Sequence, residues 1–289
     1  MQSQKIGRSR PRHDLGDKEV DESLAIKSAR LGRILSSLGS VVVAFSGGVD
    51  SALLLAVGKE ALDDGIIAVT ASSPLYPAAF IERASRIARL LGVEHIILET
   101  KELEDAGFVS NPPERCYLCK RELYGTIARI AAERGVNFIT DGTQADDTGD
   151  YRPGMKAAGE FGVRSPLLEA GFTKADVRAL SREIGLETWD ILAGPCLASR
   201  IPYEENITPA KLEAIEKGEN LLAGLGFREV RVRYTAGPTA RIEVEPEEIE
   251  RMLDSAVRNR IVREMKCLGF RYVTLDLQGY RTGSMNEVL

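Results

Sequence analysis

The sequence predicts an α/β fold: a doubly wound parallel sheet followed by a smaller α+β domain. Three observations carry this. Val41-Val42-Val43-Ala44-Phe45 is a short β-branched run without alternation, bounded by glycine; a strand buried on both faces reads this way, and such strands belong to parallel sheets. Strand-length apolar runs then alternate with amphipathic helical stretches, the pattern of a sheet covered on both faces. Beyond about residue 200 the rhythm changes to helix, two strands, helix, strand.

Element by element, residues 1–22 mix Lys, Arg, Asp and Glu with Gly and Pro and have no apolar period, which predicts a flexible leader. A helix is expected over 24–38, ending at Gly39. Strand 41–45, helix 51–62, strand 66–71 and helix 78–91 follow, the last with Phe80, Ile81, Ala84, Ile87, Ala88 and Leu91 on one face. Strand 95–98, helix 120–134, strand 137–140 and helix 174–184 complete the first domain, 23–200. In the second, 201–289, Thr208 reads as the N-cap and Pro209 as the first residue of a helix to 225. Strands 229–234 and 240–244 flank a turn at 235–239, and helix 247–268 leads to strand 272–277.

The chain has 289 residues, 44% apolar and 28% charged. That composition sustains a large core and excludes global disorder. No stretch approaches the roughly 20 apolar residues of a membrane span, and the N-terminus lacks the apolar run of a secretory signal, so a cytoplasmic location is expected. A net charge of -5 gives no general attraction to nucleic acid. Four cysteines make no disulfide framework in a chain this long.

Ser46-Gly47-Gly48-Val49-Asp50-Ser51 lies between a buried strand and a helix. Adjacent glycines allow a tight turn and close ligand approach. The free N–H groups of the following helix point at an anion, and Ser46 and Ser51 add hydroxyls. Asp50 is a poor phosphate neighbour without a bridging cation, which implies Mg²⁺. This string resembles the loop of the PP-loop ATPases (adenine nucleotide α-hydrolase-like superfamily); no Walker motif occurs. The resemblance implies cleavage between the α and β phosphates of ATP and adenylation of an acceptor. It also implies adenine contacts at Ala71-Ser72, a ligand edge at Asp141-Gly142-Thr143, and phosphate-side contacts from Ser165-Pro166-Leu167, Lys174 and Arg178.

Cys116-Tyr117-Leu118-Cys119 is placed on a loop before a helix, and Cys196 at the domain junction; Cys267 reads as core packing. Three thiols are too few for structural zinc without a fourth ligand, and neither His13 nor His95 is an evident one. Cluster or persulfide chemistry, zinc, and a redox or structural role all stay open on the residues alone. Trp189 reads as core.

Asn111-Pro112-Pro113-Glu114-Arg115-Cys116-Tyr117, Asp150-Tyr151-Arg152-Pro153-Gly154, Ser199-Arg200-Ile201-Pro202-Tyr203 and Asp276-Leu277-Gln278-Gly279-Tyr280-Arg281-Thr282-Gly283 narrow the match. With the phosphate loop, they make the chain similar to the LarE family of sulfur transferases, which serve nickel-pincer cofactor biosynthesis. The resemblance implies that ATP adenylates the carboxylates of pyridinium-3,5-biscarboxylic acid mononucleotide. A protein-held sulfur then displaces AMP, giving thiocarboxylates. It implies the three-cysteine branch, in which Cys116, Cys119 and Cys196 hold a [4Fe–4S] cluster, although Cys196 also matches the position of a sacrificial cysteine. Arg231 and Arg233 alternate on one strand face and resemble the substrate-phosphate ligands. Ser199 and Arg200 resemble substrate-orienting residues. Glu219 and Glu243 resemble a metal-associated group, whose further acidic position is Arg251 here, beside Glu250. The family implies a homo-oligomer, with a sulfur donor or cofactor-pathway enzymes as partners. The competing readings are a tRNA-thiolating enzyme, an ammonia-dependent amide-forming ligase, and a non-enzymatic nucleotide or iron–sulfur sensor.

Overall fold

The computed structural model describes residues 16–149, 153–191, 194–235 and 237–281. In chain order the elements are α1 (Gly16–Leu38), β1 (Val41–Ala44), α2 (Val49–Leu62), β2 (Ile66–Ser72), α3 (Ala78–Leu90), β3 (Glu94–Glu99), α4 (Ala106–Val109), α5 (Arg115–Glu133) and β4 (Phe138–Thr140). Then come α6 (Gly154–Glu160), α7 (Pro166–Ala170), α8 (Lys174–Glu183), α9 (Pro209–Gly224), β5 (Arg231–Thr235), β6 (Thr239–Glu243), α10 (Ile249–Met252), α11 (Ser255–Cys267) and β7 (Tyr272–Leu275).

The first four strands form a parallel sheet in the order β3-β2-β1-β4. Alternate residues feed two cores, as the period of a strand requires. Val41, Val43, Ile66 and Ala68 pack with Leu31 and Leu35 of α1, Leu53 and Leu54 of α2, and Ala84 and Ile87 of α3. Val42, Ile67, Val69 and Ile139 pack with Leu123, Tyr124 and Ile127 of α5 and with Ala157 of α6. Both faces are therefore covered, which is why β1 and β2 carry no polar alternation. Strand order reverses at β1, between β2 and β4, and ligands bind at the carboxyl edge of such a switch point.

The second sheet runs β5-β6-β7, antiparallel and then parallel. Its core joins Val232, Ala240 and Ile242 to Leu222 of α9 and to Ile261 and Met265 of α11. A fourth cluster (Leu75, Phe108, Leu197, Ile201, Ile207, Leu212, Ile215) bridges the two sheets and has Cys119, Cys196 and Tyr234 at its margin.

Several expectations need correction. The first helix starts at Gly16 rather than Leu24, so 16–22 are helical; residues 1–15, with His13, lie outside the described residues. Helix α5 starts at Arg115, which puts Cys116 and Cys119 in its first turns rather than on a loop. The expected helix 247–268 breaks after Met252, because the Asp254 carboxylate caps a new start by accepting from Ala256 N and Val257 N. Cys267 is exposed, since the 3.6-residue period turns Ile261 and Met265 inward instead. Trp189 is 38% exposed, with the Arg182 guanidinium 5.1 Å from its ring centre. Asp150, Tyr151, Arg152, Thr282 and Gly283 lie outside the described residues, as does Ala236 of the expected turn. Among the described residues no helix is long and apolar enough to cross a membrane.

Candidate active site

At the switch point β1 runs into the phosphate loop. Gly47 has φ 69°, and a Cβ there would stand 3.1 Å from the backbone of Ala84, so turn and close packing both demand glycine. The loop is held from within. Ser46 Oγ and Ser51 Oγ lie 3.1 Å apart, Gly48 N donates to Ser46 Oγ and Ser51 Oγ to Gly48 O. Arg83 Nε, which the sequence did not single out, donates to Gly47 O at 3.0 Å. No side chain caps the start of α2, which leaves its first N–H groups for an anion.

Two neighbouring segments converge on this loop. Gly142, just past β4, packs so tightly that a Cβ would meet Ser51 N at 2.9 Å. Lys174, the first residue of α8, reaches Asp50 Oδ2 at 2.5 Å. The other Asp50 oxygen, Oδ1, is buried with no hydrogen-bond partner among the described residues, so it fits the bridging cation that the sequence implies. Ala71 and Ser72 end the adjacent β2 at the same edge. The Asp141 carboxylate is filled by donors from Tyr124 Oη, Thr143 N, Thr143 Oγ1 and Ser165 Oγ, and so anchors the β4 edge. Arg178 donates to the carbonyls of Trp189 and Ile191 rather than facing the loop.

Cys116 and Cys119 lie on α5 and Cys196 just before a 3-10 turn at Leu197–Arg200, near enough for Cys196 to act electrostatically on both of the others. Burial pushes the Cys116 thiol up, as does Cys196, while Arg115 and Lys120 pull it down. Cys119 is driven well above the usual thiol range, by burial first and then by Glu102 and Cys196. Its sulfur donates to Glu102 Oε1 at 3.6 Å and lies 3.7 Å from the Tyr76 hydroxyl. Lys120 sits with its ammonium 5.4 Å from the Tyr124 ring centre and is held charged by Tyr124, Cys119, Asp141 and Cys116. Among the described residues no group of three or more Cys, His, Asp or Glu stands ready as a metal site. Glu102, Tyr76 and Lys120 escaped the sequence reading because each acts through tertiary proximity; only Lys120, adjacent to Cys119, carried a local cue.

Ser199 and Arg200 connect the Cys196 segment to the second sheet. Arg200, 2% exposed, pairs both oxygens of Glu219 at 2.9 and 3.0 Å and donates to Pro195 O, Cys196 O and Ser199 Oγ. Arg233 pairs Glu243 and donates to Ser199 O at 2.9 Å. Arg231 lies 4.8 Å from the Tyr280 ring centre, its pKa lowered by burial and then by the charge of Arg200. Glu219 and Glu243, expected to be metal-associated, pair with the guanidinium groups of Arg200, Arg233 and Arg241. Arg251 donates to the carbonyls of Leu225 and Gly226, away from both carboxylates.

No family model matches the chain. It is 41% identical over 269 residues to the pyridinium-3,5-bisthiocarboxylic acid mononucleotide synthase of Lactiplantibacillus plantarum, covering 92% of this chain and 96% of that one. An uncharacterised Synechocystis protein is also 41% identical, over 266 residues, with 92% and 99% covered. The glutamine-hydrolysing GMP synthase of Aeropyrum pernix is 28% identical over 209 residues, 64% of this chain and 40% of that one. With a near full-length relative at 41% identity and a phosphate loop at the sheet's switch point, the chain belongs to the LarE family, that of the pyridinium-3,5-bisthiocarboxylic acid mononucleotide synthase.

Proposed function

We propose that this protein is an ATP-dependent sulfur transferase that adenylates the carboxylates of pyridinium-3,5-biscarboxylic acid mononucleotide and converts them to thiocarboxylates. The observation that carries the reading is convergence: Arg200 ties the Cys196 segment to Glu219 of α9 and Arg233 of the second sheet holds Ser199 O, while Cys116 and Cys119 share α5 with Tyr124, which anchors the phosphate-loop edge through Asp141. The α2 N-terminus, Ser46, Ser51 and Lys174 bind the phosphates of ATP, with Ala71 and Ser72 toward the adenine. Asp50 Oδ1 would hold Mg²⁺, which neutralises phosphate charge when bound. A substrate carboxylate oxygen attacks the α-phosphorus and pyrophosphate leaves; the oxygen that was inert is now part of a good leaving group. Sulfur from the cysteine site attacks the activated carbonyl and AMP departs. Arg231, desolvated beside Arg200, would take the substrate phosphate. Arg233, already paired with Glu243, orients Ser199 through its carbonyl.

Cys116, Cys119 and Cys196, with Cys196 close enough to act electrostatically on the other two, would hold the [4Fe–4S] cluster that the family resemblance implies, and that cluster would supply an iron for the transferable sulfide. The test is one anaerobic turnover followed by mass spectrometry of nucleotide, product and protein. AMP and thiocarboxylate formed together support the reading. Loss of H₂S from Cys196 marks a sacrificial donor; unchanged protein mass with visible absorbance abolished by Cys116→Ala marks the cluster. Pyrophosphate release that needs tRNA or ammonia instead of the pyridinium nucleotide overturns the proposal.

A further inference from the structure

A single side chain joins the segment before Cys116 to the segment after Cys196. Asn111 is fully buried and adopts φ 57°, a left-handed conformation that asparagine tolerates better than most residues. Its amide nitrogen donates to the carbonyls of Ile201 at 3.2 Å, Pro202 at 2.6 Å and Glu205 at 3.2 Å. Two N–H bonds serve three acceptors, so one is shared. The amide oxygen accepts from Arg115 Nη1 at 2.7 Å. Arg115 is 3% exposed and lies 4.5 Å from the ring centre of Tyr203. Backbone bonds from Glu204 N to Asn111 O and from Ile207 N to Val109 O extend the stitching. Cys116 directly follows Arg115. Cys196 precedes Ile201 by one 3-10 turn, which Arg200 fastens to Glu219.

We infer that Asn111 and Arg115 are positioning residues for sulfur transfer, a buried amide–guanidinium clamp that fixes the separation between Cys116 on α5 and Cys196 across the seam. The inference rests on the reading that these thiols deliver the sulfur. Apolar residues would seal the seam more cheaply than a buried guanidinium. A fully directional amide, by contrast, permits only one register of the two segments.

The test uses Asn111→Gly, which keeps the left-handed backbone but removes the amide, and Arg115→Lys, which keeps the charge but removes the fork. Substrate-dependent pyrophosphate release should stay within about twofold of the parent, while thiocarboxylate formed per pyrophosphate falls about tenfold or more, since ångström misplacement of reacting atoms costs up to about 10²-fold. In a Cys119→Ser background, phenylarsine oxide should bridge Cys116 and Cys196 in the parent, by peptide mapping, and do so more slowly in both variants. Variants that keep the parental coupling ratio and bridging rate overturn the inference. So do variants that lose pyrophosphate release and thermal stability together, because the clamp is then only structural. A parent that forms thiocarboxylate but never bridges Cys116 with Cys196 overturns the inference alone; a parent that forms no thiocarboxylate overturns the three-thiol reading beneath it.

Discussion

Asp50 gives one oxygen to a lysine and keeps the other buried without a partner among the described residues, and that division predicts a phenotype. Asp50→Ala removes the only acidic group placed in the loop, so pyrophosphate release should fall by on the order of 10²-fold or more, the scale for losing one preorganised charge at a reacting centre. Steady-state release assays at saturating Mg²⁺ check this; turnover near the parental rate refutes the metal role of Asp50. Cys119 makes a second residue-level case. Burial and then the Glu102 charge disfavour its thiolate. Its alkylation by iodoacetamide should therefore be slower at neutral pH than that of exposed Cys267, and should rise about tenfold per pH unit while the thiol form dominates. Glu102→Gln removes the repelling charge and should speed the reaction at every pH below that range. Peptide-resolved alkylation rates that are identical in parent and variant would assign the whole shift to burial and neighbouring thiols.

Helix α8 shows how an element aims a functional group. Thr173 accepts from Asp176 N, and Asp176 accepts in turn from Thr173 N, closing a capping box that sets where Lys174 begins. Lys27 of α1 reaches the same carboxylate at 2.6 Å. Burial raises the pKa of Asp176, but its bonds from Lys27 and Thr173 outweigh this and hold it below the usual range. A depressed carboxylate contributes stability above its unfolded pKa and loses it as pH falls through the folded one. Thr173→Ala should thus cost about 1 kcal/mol in urea unfolding at neutral pH, with a smaller penalty once acid has protonated Asp176. The same variant should weaken ATP affinity, because the Lys174 ammonium loses its fixed start; calorimetric titration with a non-hydrolysable ATP analogue measures it, and unchanged affinity separates cap from site. Local chemistry of this kind was legible in the sequence: Thr208 and Pro209 do open α9, with Thr208 accepting from Lys211 N. The start of α5 was not. Its first turn is set after Pro112 and Pro113 by the burial of Arg115, a tertiary contact that no helical period announces.

At the scale of the whole molecule, the parallel sheet and its phosphate loop could be read from unbroken β-branched runs and a glycine loop between strand and helix, but not the strand order that makes β1 the switch point. Nor could the seam between the sheets. The fold pairs Arg200 with Glu219, and residues far apart in sequence carry no mark of such pairing. Their pairing decides whether the segment bearing Cys196 stays seated on α9. Arg200→Ala takes the paired guanidinium from a largely buried carboxylate that keeps the Val232 N bond and the nearby charge of Arg231, and removing one member of a buried ion pair costs about 3–5 kcal/mol. Replacing both, Arg200→Met with Glu219→Leu, removes the stranded charge and should recover most of that loss. The double variant should still transfer sulfur poorly, because the guanidinium also holds Pro195 O, Cys196 O and Ser199 Oγ. Urea unfolding together with thiocarboxylate formed per pyrophosphate distinguishes the outcomes. A double variant that regains both stability and coupling would reduce Arg200 to a strut for the fold, whereas stability regained without coupling makes it the residue through which α9 holds Cys196 in line for the proposed transfer.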